Sequence, residues 1–217
     1  MMNRNATRAA LLAATVLAGA SLMAMGPAAP VPSAEARPTA TPSARGPELE
    51  SGTYDVDGTH SSVIFSIMHQ DVSPAYGRFN NMSGMFEVGD SLESSFVKIE
   101  IDAASVDTNN EDRDKHLRSP DFFNAKQFPK ISFESTSIVN RSGTAYTVKG
   151  DLTCHGVTKP VTITMKFIGS GDKGRSGYLA GFSGEFSFDR REFGITTYPD
   201  ALGADVHVLL GIEAKRK

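Results

Sequence analysis

The stretch VKIEID, residues 97–102, decides the fold class, because apolar and charged side chains alternate along it without a break. One valine and two isoleucines occupy every second position, and lysine, glutamate and aspartate fill the others. Successive side chains of a β-strand point to opposite faces of the sheet. Antiparallel sheets with one buried and one wet face carry this pattern. The stretch therefore predicts a half-buried antiparallel strand.

The same alternation recurs along the chain and predicts about eight or nine strands. The further runs begin with Tyr54–Val56 and include Val63, Phe65 and Ile67; the stretch from Gly77 to Val88; Ile131 and Phe133; Tyr146, Val148, Gly150 and Leu152; Val161, Ile163, Met165 and Phe167; the alternate residues from Tyr178 to Phe188; and Val206, Val208, Leu210 and Ile212. So many strands with almost no helix to cover their apolar face must fold the sheet onto itself. Closure into a barrel also removes exposed edges. We therefore predict an all-β, antiparallel barrel of about eight strands.

One segment, residues 107–129, interrupts the alternation and predicts one or two short helical turns that cover one end of the barrel. Thr108 and Glu111 have the spacing of a capping box. Ser119 before Pro120 is a second helix-start signal. Apolar residues for the cover are Phe122, Phe123 and Phe128.

The first 51 residues differ in composition from the rest. Residues 1–36 have a short basic region, an apolar run from Ala9 to Met25 and an Ala34-Glu35-Ala36 cleavage site, which predict a secretory signal peptide of the Sec type. Residues 37–51 are rich in Pro, Ala, Thr and Ser and predict a disordered linker. The barrel domain is then residues 52–217. We expect a periplasmic or secreted protein, without a cysteine near the signal to accept a lipid anchor.

Charge and cysteine usage limit the possible functions. The formal net charge is −3, which argues against a nucleic-acid partner. The one cysteine, Cys154, rules out an internal disulfide framework. Because Cys154 has the same parity as Leu152 on its strand, we expect it to be a buried small hydrophobe, facing away from His155. No nucleophile elbow is present, and we predict no catalytic residue.

The side chains expected to face the barrel lumen are the main functional candidates. Eight strands enclose room for their own side chains or for one slender ligand, and the pattern alone leaves both possibilities open. Glycines on strands, such as Gly84 and Gly184, favour room for a ligand. The lumen candidates are Val63, Phe65, Ile67, His69, Ile99, Ile101, Phe133, Tyr146, Val148, Ile163, Met165, Phe182, Phe186, Val208 and Leu210.

Polar candidates are weaker. Arg113, Lys115 and Arg118 could meet an anionic head group at the barrel mouth, although alternating charges in this segment are also typical of a solvated helical turn. The histidines show no metal-ligand spacing, and we predict no metal site and no cofactor. His60 follows the turn signal Asp57-Gly58 and is expected to help cap that turn.

Five stretches together resemble the YceI-like family of lipocalin-like, polyisoprenoid-binding periplasmic proteins. They are YDVDGTHSSVIFSIMH (54–69), VDTNNEDRDKHLRSPDFF (106–123), FPKISFEST (128–136), GDLTCHGVTKPVTI (150–163) and SFDRREFGI (187–195). The resemblance runs in order through nearly the whole barrel domain. Cys154 departs from it, because the family usually has an aliphatic residue there, and Asp189 stands where asparagine is frequent.

The resemblance implies a lumen filled by a long isoprenoid, as in quinones and polyprenyl lipids, and no established catalytic step. It favours an exported lipid-binding protein for transport, storage or sequestration, and a role in stress is one of its expectations. We expect at most transient membrane contact, and dimers are in keeping with the family. Two alternatives stay open: an enzyme acting on an isoprenoid lipid, and a stress-related interaction module with a filled barrel.

Overall fold

β-Strands form nearly all the regular structure in residues 49–217, the part of the chain that this computed structural model describes. The strands are β1 (Gly52–Val56), β2 (Ser62–His69), β3 (Ser73–Phe79), β4 (Met82–Val88), β5 (Phe96–Asp102), β6 (Val106–Asp107), β7 (Lys130–Ser142), β8 (Ala145–Cys154), β9 (Val157–Asp172), β10 (Tyr178–Asp189) and β11 (Leu202–Arg216). Within the same range one α-helix, α1, spans Glu111–Leu117, and short 3₁₀ turns span Ala103–Ser105, Gly174–Ser176 and Arg190–Phe193. The predicted signal peptide, 1–36, and the predicted linker up to residue 48 lie outside the described residues.

The strands close into an antiparallel barrel, as the alternating pattern predicts. Eight strands follow one another around the ring in the order β1, β4, β5, β7, β8, β9, β10 and β11, and β11 pairs again with β1. The remaining strands, β2, β3 and β6, extend this ring along the axis. β2 pairs with the first part of β11, whereas β1 pairs with its last residues. β3 pairs with β2, and β6 pairs with β3. Closure leaves no exposed edge in the ring.

A tight corner joins β1 to β2 against the continuous strand β11. The Ser61 hydroxyl accepts a hydrogen bond from the Glu213 N–H and donates one to its carbonyl, and the Asp57 N–H also donates to that carbonyl. Gly58 is required here, since a Cβ at this position would lie 2.4 Å from the Met82 carbonyl oxygen. At this corner the chain turns from β1 into β2, and both strands stay hydrogen-bonded to β11.

The segment between β6 and β7 contains one of the two predicted helical turns. The predicted cap residue was wrong: the Asn110 side chain, not that of Thr108, accepts from the backbone N–H of Arg113 and caps α1. Thr108 instead donates its hydroxyl to the buried Asp114 carboxylate. The second signal, at Ser119, gives a series of hydrogen-bonded turns and no helix.

Glycines on the strands do not leave the room that the sequence suggested. A Cβ on Gly84 would lie 2.7 Å from Ile99 Cδ1, and one on Gly184 would lie 2.1 Å from Met165 Sδ. Larger neighbouring side chains therefore already fill the space above both glycines. Neither glycine lines a cavity.

The last residues before β1 are bound to the barrel. Leu49 packs on a cluster around Tyr54, the Tyr54 hydroxyl donates to the Glu50 carbonyl, and Arg216 pairs with the Glu50 carboxylate. Arg216 also donates to the Ser51 carbonyl. Burial raises the pKa of Tyr54 to about 12. In the described range no helix is long and apolar enough to cross a membrane.

Candidate functional site: an apolar barrel lumen

The barrel interior holds two adjoining apolar cavities, of about 340 Å³ and 130 Å³. The larger lies within the volume range of ligand pockets, and the smaller is comparable with an engineered cavity of about 150 Å³ that binds benzene. The large cavity is lined by Leu49, Val63, Met82, Phe86, Glu87, Val88, Leu92, Ser95, Phe96, Val97, Ile99, Ile101, Phe133, Ile138, Tyr146, Val148, Leu152, Ile163, Met165, Phe182, Phe186, Val208, Leu210 and Ile212. The small cavity is lined by Val63, Phe65, Ile67, Phe79, Ile101, Leu117, Phe122, Phe123, Ile131, Leu152, Cys154, Phe186, Phe188, Arg190, Ile195, Leu202, Val206 and Val208.

The two cavities follow one another along the barrel axis. On β10, Phe182 lines the large cavity, Phe186 lines both and Phe188 lines the small one. The residues that line both form a waist between them: Val63, Ile101, Leu152, Phe186 and Val208. A filled interior, the basis of one alternative function, does not describe this barrel.

The two ends of the lumen differ. The small cavity ends against Leu117 of α1, Phe122 and Phe123, which form the cover predicted from the sequence, although Phe128 packs on His155 instead. The large cavity ends at half-buried side chains of Leu49 and of the loop between β4 and β5, including Leu92. The large cavity therefore ends at loop and terminal residues, and the small cavity ends at α1 and the segment that follows it.

All the predicted lumen residues except His69 line at least one of the two cavities. Their contact with a ligand stays a prediction. His69 has the correct parity on β2 but is exposed, because the β2–β3 hairpin continues beyond the barrel end, where His69 pairs with Ser73 and Leu202. The prediction that His69 faces the lumen was wrong.

Among the lining residues that sequence reasoning missed, two groups carried no strand signal. Leu49 lies in the stretch assigned to the linker, and a lone leucine among prolines carries no strand signal. Leu92 and Phe96 belong to the β4–β5 loop and its exit, where alternation has not yet begun. Only the closed barrel brings them to the lumen.

Arg190 is a charged residue in the wall of the small cavity, and its hydrogen bonds are directed into the protein. Its side chain is only 3% exposed. The guanidinium donates to the carbonyls of Ile195, Thr197, Leu202 and Gly203. Burial lowers the pKa of Arg190 from its usual value. Arg190 therefore holds the loop between the 3₁₀ turn and β11 against the small cavity.

Cys154 is buried beside the small cavity, as its parity with Leu152 predicts. Burial raises the pKa of the Cys154 thiol to about 12, which keeps it protonated at neutral pH. The neighbouring His155 lies in the β8–β9 turn with φ +52° and its Nδ1 lies 3.0 Å from the Phe193 carbonyl oxygen. The two side chains do not form a nucleophile–base pair.

The three cations suggested for a head group lie on α1 or directly after it, outside the cavity walls. Arg113 donates to the hydroxyl and carbonyl of Thr108. Arg118 donates to the carbonyls of Ala104 and Val106. Lys115 is exposed on the helix. They lie at the covered end of the lumen, and their role toward a head group stays a prediction.

One cluster outside the barrel could hold a metal ion: one ligand atom each from Asp57, His60 and Glu213 lies within 4.8 Å of the others. Sequence spacing could not reveal it, because Glu213 comes from the other end of the chain. His60 Nδ1 lies 2.8 Å from Asp57 and 3.8 Å from Glu213. Its hydrogen bond with Asp57 raises the pKa of His60 and lowers that of Asp57. Asp57 also accepts from the backbone of Thr59 and His60, so the group stabilises the corner as the turn signal predicts.

Comparison with known proteins identifies the family. The model of the YceI-like domain matches residues 54–214, which is nearly the whole barrel. The chain belongs to the YceI-like family. A UPF0312 protein of Pseudomonas aeruginosa is 43% identical over 164 residues, covering 75% of this chain and 85% of that protein. A UPF0312 protein of Pectobacterium atrosepticum is 39% identical over 165 residues, covering 76% and 85%.

Three solved structures share the fold. Burkholderia cenocepacia BcnA superposes with a TM-score of 0.66 at 23% identity, over 73% of this chain and 98% of BcnA. The Campylobacter jejuni YCEI protein gives 0.58 at 26% identity, over 67% and 87%. A polyisoprenoid-binding domain from Saccharophagus degradans gives 0.59 at 12% identity, over 77% and 100%. These similarities establish the fold for this YceI-like protein.

Proposed function

We propose that this YceI-like protein is an exported, non-enzymatic carrier that holds the chain of an isoprenoid lipid, of the quinone or polyprenyl type, inside its barrel. The observation that carries the proposal is the pair of adjoining apolar cavities along the barrel axis. A branched hydrocarbon chain matches a long, narrow and apolar space. The polyisoprenoid-binding domain of Saccharophagus degradans, which shares the fold, supports the same ligand class.

The cavity volumes indicate how much of a chain the lumen accommodates. Scaled from the cavity of about 150 Å³ that binds benzene, the small cavity takes about five carbon atoms, or one isoprene unit. The large cavity, at about 340 Å³, takes roughly two to three units on the same scale. The lumen therefore accommodates about three to four units, and a longer chain extends past Leu49 into solvent.

The binding energy comes from burial of hydrocarbon. Each buried CH₂ group contributes about 0.8 kcal/mol, and association costs about 4 to 15 kcal/mol. Ten buried carbons, about 8 kcal/mol, are therefore offset by this cost, whereas fifteen to twenty exceed most of its range. We expect affinity to rise with chain length up to about four units and then to level off.

The location in the cell follows from the signal peptide predicted for residues 1–36, and we place the carrier in the periplasm or outside the cell. An apolar chain cannot cross an aqueous compartment alone, and a barrel that encloses it provides transport, storage or sequestration. Membrane contact is expected only while the lipid is exchanged.

The test is mass spectrometry of an organic extract from protein purified out of its native host. The proposal expects one isoprenoid lipid per barrel, and rebinding of an isoprenoid quinone after the lipid has been extracted. Folded protein that contains no lipid and also fails to bind added quinone or polyprenol would refute it.

A further inference from the structure

Three side chains at the corner between β1 and β2 combine ligand types that transition metals prefer. Asp57 and His60 come from the turn that joins the two strands, and Glu213 comes from β11. One ligand atom from each lies within 4.8 Å of the other two. None of the three residues lines a cavity. The group is therefore separate from the proposed lipid site.

The separations within the group suit a single metal ion. Metal–ligand bonds of about 2.1 Å in a tetrahedral arrangement place two ligand atoms about 3.4 Å apart. His60 Nδ1 lies 2.8 Å from Asp57 Oδ2 and 3.8 Å from Glu213 Oε1. Both distances are within about 0.6 Å of the required value, which small rotations of the side chains can supply.

Backbone contacts hold the carboxylates in place and leave one oxygen of each available. Asp57 Oδ1 accepts hydrogen bonds from the backbone N–H groups of Thr59 and His60, whereas Oδ2 faces the imidazole. The Glu213 backbone is bound to the Ser61 hydroxyl and to the Asp57 N–H. Within residues 49–217 the Glu213 carboxylate accepts no hydrogen bond, so it can bind an ion without losing one.

The charge of the group also favours a cation. No lysine or arginine in the described part of the chain lies within ion-pair distance of Asp57 or Glu213. Two carboxylates share one imidazole, so the net charge is negative whether or not His60 is protonated. The side chains of Asp57, His60 and Glu213 are 35%, 64% and 38% exposed, which leaves further coordination positions open to water.

We propose that Asp57, His60 and Glu213 form a binding site for a divalent transition metal such as Zn²⁺. Imidazole nitrogen suits zinc, nickel and copper, whereas magnesium and calcium prefer sites made of oxygen alone. The three residues meet only in the folded barrel, so the bound ion stabilises the fold by mass action. At a zinc concentration 100 times Kd, the midpoint of thermal unfolding rises by about 5 to 10 °C.

The experiment is calorimetric titration of the full exported chain, purified without a histidine tag, with ZnCl₂ and separately with MgCl₂. The parent should bind one zinc ion per chain, and magnesium at least about 100-fold more weakly. His60→Gln and Glu213→Gln should each lower zinc affinity by about tenfold or more. Glu213→Gln keeps the hydrogen bond between Asp57 and His60, so its effect measures metal binding and not damage to the corner.

The matched control is His207→Gln, which should leave zinc affinity unchanged. His207 is also exposed, and its Nε2 lies 3.8 Å from the Glu185 carboxylate, but within the described residues it belongs to no group of three ligands. The proposal is overturned if the parent shows no saturable zinc binding, or if Glu213→Gln binds zinc as tightly as the parent. An equal loss of affinity in His207→Gln would show diffuse binding by surface histidines and would also overturn it. The lipid extraction tests the carrier function separately.

Discussion

A larger side chain at the waist should shorten the chain that the barrel accommodates. Val208 lines both cavities and is buried, whereas the next residue, Leu209, points outward and is 42% exposed. Val208→Phe places extra carbon atoms in the passage between the cavities, so the ligand loses the small one. At about five carbons and about 0.8 kcal/mol for each, the loss is about 4 kcal/mol, close to thousandfold in Kd for a C20 isoprenoid.

The stability of the same variant is informative. Extra atoms forced into a filled core cost about 1 to 3 kcal/mol, whereas atoms that enter empty room should cost less than about 1 kcal/mol. The assay is the free energy of unfolding in urea without ligand, together with titration by C10, C15 and C20 isoprenoid alcohols. Binding of C10 should change little, because the large cavity alone accommodates it.

Leu209→Phe is the control for the new aromatic ring and should leave the whole chain-length series unchanged. If Val208→Phe binds the C20 alcohol as tightly as the parent does, the chain does not pass the waist. A stability loss of several kcal/mol together with unchanged binding would show that the ligand lies elsewhere.

Three further predictions concern other parts of the barrel. The hydrogen bond that raises the pKa of His60 stabilises the fold below about pH 6.5, and this stabilisation is lost as pH rises through the folded-state pKa, whereas the stabilisation from the lowered pKa of Asp57 is present above about pH 4 and is lost on acidification. His60→Gln should therefore reduce the fall in the free energy of unfolding between pH 6 and pH 8, measured in urea. An unchanged pH dependence would contradict this. Arg190→Met should destabilise the fold by about 3 kcal/mol or more, because four carbonyls lose their donor in a buried site; an equilibrium urea midpoint equal to that of the parent would contradict it. Cys154, with its pKa raised to about 12, should react with iodoacetamide at pH 8 only as fast as the barrel unfolds, which labelling followed by mass spectrometry can measure, and rapid modification of the native protein would show that the thiol is accessible.

The barrel could be predicted from the sequence because period-two alternation is a direct consequence of strand geometry. Val97, Ile99 and Ile101 face inward in the structure for the same reason that they alternate in the sequence. The position of each strand end could not be predicted in this way. His69 continues the parity of Ile67 but lies beyond the rim, and parity carries no information about where the barrel stops.

Contacts that depend on closure were also beyond sequence reasoning. The Asp57–Glu213 corner joins opposite ends of the barrel domain, and Arg190 finds its four acceptors in a loop whose path no local pattern specifies. The cap of α1 was assigned to the wrong residue because two neighbouring side chains compete for that position. Both Thr108 and Asn110 can cap a helix, and the extended backbone of Asn110 places its side chain at the Arg113 N–H.

The most direct measurement of where the lipid lies is a set of intermolecular NOEs between a C20 isoprenoid and the protein's labelled methyl groups. We expect contacts from the chain to Val63, Leu152 and Val208, whose side chains line both cavities, at one lipid per barrel. Contacts confined to exposed methyls such as those of Ile64 and Leu209, with none at the waist, would show that the chain does not occupy the lumen.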